Sequence, residues 1–330
     1  MTARMAAWRR ETYGPAEGVA LEHLPLPQPH HGEVLLRVRA TALNAGDVRL
    51  LLGDPLLVRP AFGLTRPKHP VRGMEVVGTV VGIGADVVGA ELDEHVVGEL
   101  VGGGGLAEYV RVPAARLVPL PPGVEPEVAA TLPVAGGTAW QALDLGGVGL
   151  HRSSPRVLVV GASGGVGTFA VQLAALRGAE VWASCRDVNA PLIERLGAVR
   201  TLDHRVTPLR ELPAAHFDAI IDVAGGIPLR ELQRLVVPGG RVVLVTGDGG
   251  PVLGPIPRML RAMVLSLGSR PVRPLAATPR PEVLARLLEL VADGLLSPVI
   301  AQTYDFAEAG AALTRLQGGH VVGKLVVRGT

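Results

Sequence analysis

Glycines placed between a strand and a helix are the sharpest chemical signal in this sequence. In RVLVVGASGGVG (156–167) an apolar strand runs into Ala162-x-Gly164-x-x-Gly167, and a helical stretch follows directly. Gly164 lacks a Cβ and lets the backbone approach a pyrophosphate closely, while Gly167 lets the helix pack tightly on the strand. The helix N-terminus adds free N–H groups and a partial positive charge. The spacing predicts a dinucleotide-binding loop, although Ala162 replaces the first glycine of the usual pattern.

The end of the following strand bears on which dinucleotide is expected. Enzymes that use NAD usually carry Asp or Glu there, about 20 residues after the glycines, to bind the ribose hydroxyls. This chain has Cys185 at that position, with Ser184 before it and Arg186 after it. The Arg186 guanidinium could pair with a 2′-phosphate, which favours NADP(H). Asp187 keeps NAD as the alternative, because a shift of one residue would make it the ribose acid.

The length and spacing of the apolar runs divide the chain into three parts. Up to about residue 125, short runs broken by Gly and Pro indicate small strands in a barrel or sandwich. Strand-like and helix-like segments then alternate, which is typical of a parallel sheet covered by helices on both faces. From about residue 274 the pattern changes again, and the chain ends on the strand-like run KLVV (324–327). The fold class is therefore expected to be α/β with a doubly wound sheet.

Composition and charge exclude several classes of protein. Lys and Arg number 32 against 30 Asp and Glu, a formal charge of +2 with no basic cluster, so we expect no nucleic-acid partner. The single cysteine, Cys185, cannot form an internal disulfide or a cysteine-based zinc cage, and it suits a reducing cytoplasm. The uncharged stretch 157–176 is long enough to cross a bilayer, but the glycines within it indicate a strand, a turn and a helix and not one continuous helix. We expect no membrane span.

Eight segments in one order resemble the medium-chain dehydrogenase/reductase superfamily, specifically its zinc-free quinone oxidoreductase branch of zeta-crystallin-like and reticulon-interacting enzymes. The segments are LNAGDVRLLLGDP (43–55), HPVRGMEVVGTVVGIGADV (69–87), GGLAEYVRVP (104–113), AATLPVAGGTAWQAL (129–143), the glycine loop (156–167), FDAIIDVAGG (217–226), GGRVVLVTG (239–247) and GKLVV (323–327). The resemblance implies a GroES-like, partly open β-barrel over 1–125 to which 274–330 return. It also implies a Rossmann NADP-binding domain over 126–273.

The same resemblance implies a metal-free active site. Asn44 and Met74 stand where zinc-dependent relatives carry a Cys and a His ligand, so we expect no metal. Asn44 is the expected hydrogen-bond donor to the substrate, although an Asn here could equally cap a turn. Thr138 is expected near the nicotinamide, with a helix cap as its alternative role, and Asp47 is expected to hold the loop more than to react. The full set of expected cofactor contacts is Ala162, Ser163, Gly164, Gly165, Val166, Gly167, Ser184, Cys185, Arg186, Val223, Ala224, Thr246 and Lys324.

Without a metal, the reaction that needs least help is hydride transfer to a conjugated acceptor, whose charge delocalises onto oxygen. We therefore expect an NADPH-dependent reductase of quinones or α,β-unsaturated carbonyls. The alternatives are an enoyl-thioester reductase of a biosynthetic pathway, a non-zinc dehydrogenase and a weakly catalytic, crystallin-like nucleotide-binding protein. The expected partners are a small-molecule substrate and a second copy of the chain. Relatives often pair through an edge strand of the nucleotide domain, for which RAMVLSLGS (261–269) is the candidate.

Overall fold

The structure is a computed structural model that describes residues 3–149, 154–245, 250 and 252–330. The chain forms two compact units. Unit 1 comprises Met1–Gly137, Pro279–Gly294 and Pro298–Thr330, and unit 2 comprises Thr138–Thr278 and Leu295–Ser297.

Unit 1 is built mainly from antiparallel strands. The strands, labelled in chain order, are β1 Arg4–Arg9, β2 Ala20–Pro25, β3 Glu33–Leu43, β4 Glu75–Ile83, β5 His95–Glu99, β6 Tyr109–Pro113, β7 Leu117–Pro119, β14 Ile300–Asp305 and β15 Lys324–Arg328. Strands β1 and β2 form a hairpin, and a seven-stranded sheet has the order β14-β15-β3-β4-β5-β7, with β6 pairing along β3. Val34, Leu36 and Val38 lie on one face of β3, because side chains of a strand alternate between its faces, and all three belong to one core cluster.

The helices of unit 1 range from the four residues of α2 to the 12 residues of α9. They are α1 Ala45–Leu52, α2 Arg59–Phe62, α3 Pro126–Ala129, α9 Pro281–Ala292 and α10 Ala309–Gln317, with a π-helical turn at Leu132–Gly136. The domain boundaries expected at 125 and 273 fall earlier in the chain than the limits of the units. The segment after residue 125 stays with unit 1 because α3 packs against β3 and β4.

Unit 2 is a six-stranded parallel sheet in the order β10-β9-β8-β11-β12-β13. The strands are β8 Arg156–Val160, β9 Glu180–Cys185, β10 Arg200–Asp203, β11 Phe217–Asp222, β12 Val236–Leu244 and β13 Val272–Pro274. Counted from β8 as the first strand, this order is 3-2-1-4-5-6, the arrangement of doubly wound dinucleotide-binding folds. Its direction of winding reverses between β8 and β11, and ligands of such sheets bind beyond the strand ends at that point. The predicted α/β class is confirmed.

Helix α4 Gly137–Gly146 precedes β8, and the helices that lie between strands of unit 2 are α5 Gly165–Leu176, α6 Ala190–Arg195, α7 Leu229–Leu235 and α8 Ile256–Leu265. The interpretation of 261–269 as an edge strand is wrong, since Arg261–Leu265 complete α8. Prolines at 255 and 257 mark the start of this helix, because proline is well tolerated in a first helical turn. The sheet's edge is the three-residue β13 instead. Over the described ranges, no helix is both long and apolar enough to span a bilayer.

Candidate active site and cofactor loop

The glycine loop joins β8 to α5 as the spacing predicts. Gly161 has a φ of +81°, and a Cβ there would lie 2.9 Å from the Ala224 nitrogen, so this position requires glycine. A Cβ on Gly167 would lie 2.2 Å from the Gly161 oxygen, because the helix passes directly over the loop backbone. Gly164 differs, since its Cβ would meet nothing nearer than the Gly161 oxygen at 3.6 Å. The loop is thus packed tightly inside and open at Gly164.

The N-terminus of α5 leaves backbone donors for a ligand. Gly164 is the N-cap, with extended φ and ψ of −76° and 173°, and the first intrahelical bond runs from the Thr168 nitrogen to the Gly164 oxygen at 3.0 Å. Among the described residues, none accepts a hydrogen bond from the N–H groups of Gly165 and Val166. Free N–H groups at an open helix start form a favourable environment for a phosphate. These residues fit the pyrophosphate of a dinucleotide.

The end of β9 contains no acidic side chain. Ser184 and Cys185 are buried, and burial raises the pKa of the Cys185 thiol, so it is not poised to react. The guanidinium of the half-buried Arg186 has no hydrogen-bond or ion-pair partner among the described residues. Asp187 is exposed, and its N–H donates to Asp203 at the end of β10. A free guanidinium therefore stands immediately beyond the strand.

The end of β11 holds an ion pair that the sequence did not suggest. Asp222 is buried, and its Oδ2 accepts from Arg258 Nη2 at 3.0 Å while its Oδ1 accepts from the Gly225 N–H at 2.9 Å. These bonds shape the turn that carries Val223 and Ala224, two of the expected cofactor contacts. Thr246, a further expected contact, lies outside the described residues.

In unit 1, Lys324 and Glu75 form a buried ion pair. Lys324 Nζ lies 2.7 Å from Glu75 Oε2, with side chains exposed to only 2% and 0%. The other two ammonium hydrogens reach the Leu43 carbonyl oxygen at 3.1 Å and Asn44 Oδ1 at 2.5 Å. Glu75 Oε1 accepts from the Val134 N–H at 2.8 Å. All three donors of Lys324 are used here, so it has no free N–H for a cofactor in this arrangement.

The same pair fixes the side-chain amide of Asn44. An ammonium group only donates and a carboxylate only accepts, so Oδ1 must face Lys324 and Nδ2 must face Glu75, 2.8 Å from its Oε2. The second Nδ2 hydrogen has only the Ala42 carbonyl oxygen at 3.5 Å, the outer limit of a hydrogen bond. Asn44 is partly exposed. The amide is therefore held rigidly and keeps one N–H available.

Asp47 is fully buried one helical turn after Asn44. Its Oδ2 accepts from the Asn44 N–H at 2.9 Å and its Oδ1 from the Gly73 N–H at 2.8 Å. Burial raises the pKa of Asp47, while these two N–H groups and the charges of Arg72 and Lys324 act in the opposite direction. The carboxylate thus ties the start of α1 to the segment before β4. Its role as a residue that holds the loop stays a prediction.

Thr138 lies in the first turn of α4 and is half-buried. Its hydroxyl has no partner among the residues that the structure describes. A helix-capping bond, the alternative role considered for it, is not formed.

Glu99 is an unusual carboxyl group beside this cluster. It lies directly across from Glu75 on the neighbouring strand, since residues Glu75 and Glu99 pair in the β4–β5 ladder. Burial, and then the charge of Glu75, raise the pKa of Glu99 to about 7, while Arg116 lowers it. Near neutral pH Glu99 therefore holds a proton part of the time.

We expect Glu99→Gln to stabilise the protein at alkaline pH. A raised folded-state pKa means that the folded state binds the extra proton, so stability falls as pH rises from 4.5 to about 7. Gln imitates the protonated form, and the variant should gain about 3 °C in Tm at alkaline pH and nothing at acid pH. Thermal melts of wild type and variant against pH measure this, with the exposed Glu17→Gln as control. A gain of equal size at both extremes of pH would contradict it.

Possible metal ligands do not cluster here. No group of three or more His, Cys, Asp or Glu side chains that could hold a metal occurs within the described ranges. Gly46 lies beside Met74, whose Sδ would be 3.0 Å from a Cβ added to that glycine.

Comparison with known proteins agrees with this architecture. Residues 30–122 match the family described as the alcohol dehydrogenase GroES-like domain, and residues 196–327 match the family described as zinc-binding dehydrogenase.

Similar proteins cover nearly the whole chain. A chloroplastic quinone oxidoreductase QR1 from Triphysaria versicolor is 35% identical over 324 residues, 95% of each chain. A 2-methylene-furan-3-one reductase from Solanum lycopersicum is 29% identical over 98% of this chain and 79% of its own length. The solved quinone oxidoreductase from Coxiella burnetii superposes with a TM-score of 0.88 at 26% identity, covering 99% of this chain and 100% of that one. The chain therefore belongs to the medium-chain dehydrogenase/reductase superfamily, an oxidoreductase family in which its relatives include quinone oxidoreductases.

Proposed function

We propose that this protein is an NADPH-dependent reductase that transfers a hydride to a quinone or an α,β-unsaturated carbonyl without a metal ion. The observation that carries the proposal is the fixed amide of Asn44. When a conjugated acceptor takes up a hydride, negative charge develops on its carbonyl oxygen, and a pre-oriented N–H is the group that stabilises such charge. The buried Lys324–Glu75 pair orients that N–H in advance, at no cost during the reaction.

Other residues of the chain would bind the cofactor and position Asn44. Loop 161–167 and the start of α5 would bind the pyrophosphate, and Arg186 would bind a 2′-phosphate. The bound nicotinamide would supply the hydride. Asp47 would keep the Asn44 backbone in place, and Lys324 would act as a positioning residue instead of the expected cofactor contact.

Two named relatives support a conjugated acceptor. One is a quinone oxidoreductase, and the other reduces a 2-methylene-furan-3-one, a compound whose methylene group is conjugated with a ketone. Both compounds accept a hydride and place the resulting negative charge on oxygen. A homodimer and a cytoplasmic location stay predictions.

The test is NADPH consumption against a panel of quinones, enones, enoyl thioesters and saturated aldehydes, with and without a chelator. We expect quinones or free enones to be reduced, saturated aldehydes to be inert and the chelator to have no effect. Preference for enoyl thioesters would support the biosynthetic alternative. If no acceptor oxidises bound NADPH, the protein is a nucleotide-binding protein and the proposal fails.

Arg186→Ala should change the choice between the two cofactors. Loss of the only free guanidinium beside the β9 end, among the described residues, removes a charge-assisted pair with the 2′-phosphate. We expect the Kd for NADPH to rise at least about tenfold and the Kd for NADH to change little. Fluorescence titration of each cofactor measures both, with the exposed Arg195→Ala as a control on the same unit. Parallel changes for NADPH and NADH would contradict the assignment.

A further inference from the structure

The side chain of Arg72 is a buried cation that donates no hydrogen bond to the described residues. The residue is 3% exposed, yet among the described residues none accepts a hydrogen bond from its guanidinium. No carboxylate oxygen of that part of the chain lies within the 4.0 Å of an ion pair. A guanidinium carries five N–H donors and stays charged in proteins, so leaving it unpaired in a buried position is costly. Such a group favours binding of an anion, and the described residues do not supply one.

The described groups around Arg72 do not accept a hydrogen bond from its guanidinium. Asp47 and Tyr13 act on it through charge, but both oxygens of Asp47 already accept backbone N–H groups. Tyr13 donates its own hydroxyl hydrogen to the Gly63 carbonyl oxygen. His69 is nearby as well, and burial, together with the positive charge of Arg72, lowers the pKa of its imidazole.

The backbone around Arg72 is fixed, and its guanidinium keeps some contact with solvent. None of its nitrogens is among the fully buried nitrogens without a partner, which in the described residues are the Nε atoms of Arg9, Arg258 and Arg270. The Arg72 carbonyl oxygen accepts from the N–H groups of Gly104 at 3.2 Å and Leu106 at 2.9 Å. The next residue, Gly73, is bonded to Asp47. The backbone is thus held on both sides of Arg72.

We propose that Arg72 binds a carboxylate carried by the acceptor substrate, an inference that rests on the reductase function proposed above. A guanidinium binds a carboxylate through two parallel N–H···O hydrogen bonds. The neighbouring Asp47 already contributes negative charge, which favours a singly charged carboxylate over a phosphate. Arg72 is one residue from Gly73, whose bond to Asp47 leads directly to Asn44, so the carboxylate site and the carbonyl site belong to one hydrogen-bonded segment.

The binding test uses a ligand that cannot be reduced. Laevulinate, a saturated keto acid, and its methyl ester are titrated into the full chain by calorimetry, with inorganic phosphate as a competitor. We expect the acid to bind at least about tenfold more tightly than the ester in wild type, and this preference to vanish in Arg72→Met. Arg66→Met, which removes an exposed arginine from the same segment, should bind like wild type. Arg72→Lys should retain part of the preference for the acid, since lysine keeps the positive charge but cannot form two parallel N–H···O bonds.

The kinetic test uses the conjugated counterpart, acetylacrylate, and its methyl ester with NADPH. We expect Arg72→Met to raise KM for the acid at least about tenfold and to leave KM for the ester unchanged. Wild type that binds laevulinate and its ester equally, or binds phosphate more tightly than laevulinate, would overturn the proposal without any variant. If laevulinate binds through Arg72 but no acceptor is reduced, the carboxylate site stands and the reductase function falls.

Discussion

Lys324→Met is expected to lower the free energy of unfolding by about 3–5 kcal/mol, the usual cost of removing one partner from a buried ion pair. The variant leaves the Glu75 carboxylate in a position that is 0% exposed, without its ammonium partner. It also removes the donor that faces Asn44 Oδ1, so the amide loses its fixed orientation. Urea unfolding measures the stability, and turnover should fall with it even where the variant is fully folded.

Two further variants separate this effect from a general loss of a lysine. Lys68, the chain's only other lysine, is exposed, and Lys68→Met should change stability by less than about 0.5 kcal/mol. Lys324→Met combined with Glu75→Gln should recover part of the loss, because no unpaired charge then stays buried. A double variant less stable than Lys324→Met alone would show that the pair does not act as a unit.

Gly164→Ala is expected to leave the fold intact and to weaken NADPH binding at least about tenfold, because the new methyl group fills the space for the pyrophosphate. The backbone at Gly164 is extended and accepts alanine, and nothing lies nearer than 3.6 Å to the added Cβ. Gly167→Ala should instead disturb the fold, since its Cβ would lie 2.2 Å from the Gly161 oxygen. Melting temperature and NADPH titration together distinguish the two outcomes.

The exposed Gly268 supplies the matched control for both substitutions. It has no near neighbour below 4.0 Å and lies in the same unit, so Gly268→Ala should alter neither stability nor binding. Wild-type affinity of Gly164→Ala for NADPH would place the pyrophosphate elsewhere and contradict the assignment of the loop.

Local features were the ones that the sequence predicted well. The glycine loop is readable because glycine spacing, an apolar strand and a helix start are adjacent in the chain. The parallel sheet is readable because its strands alternate with helices. The edge strand was misassigned because 261–269 covers only the end of α8, and a short apolar run does not distinguish a strand from a helix, while the true edge β13 has three residues and contains Pro274.

Partnerships between distant residues could not be read from one sequence. Lys324 and Glu75 are separated by 249 positions, and only the fold brings them together. The signal was nevertheless present, because a charge inside the apolar runs EVV (75–77) and KLVV (324–327) indicates a buried and paired group. Arg72, next to the apolar pair Pro70-Val71, carries a similar signal, but its guanidinium has no partner among the residues that the structure describes.

The carbon that receives the cofactor's hydride distinguishes conjugate reduction from reduction of the carbonyl group. NADPH carrying deuterium at the reacting carbon of the nicotinamide is incubated with the protein and a conjugated enone, and the product is analysed by mass spectrometry and NMR. We expect a saturated ketone with one deuterium on the former β-carbon. Deuterium on the carbinol carbon of an unsaturated alcohol would identify a carbonyl reductase instead and contradict the proposed function.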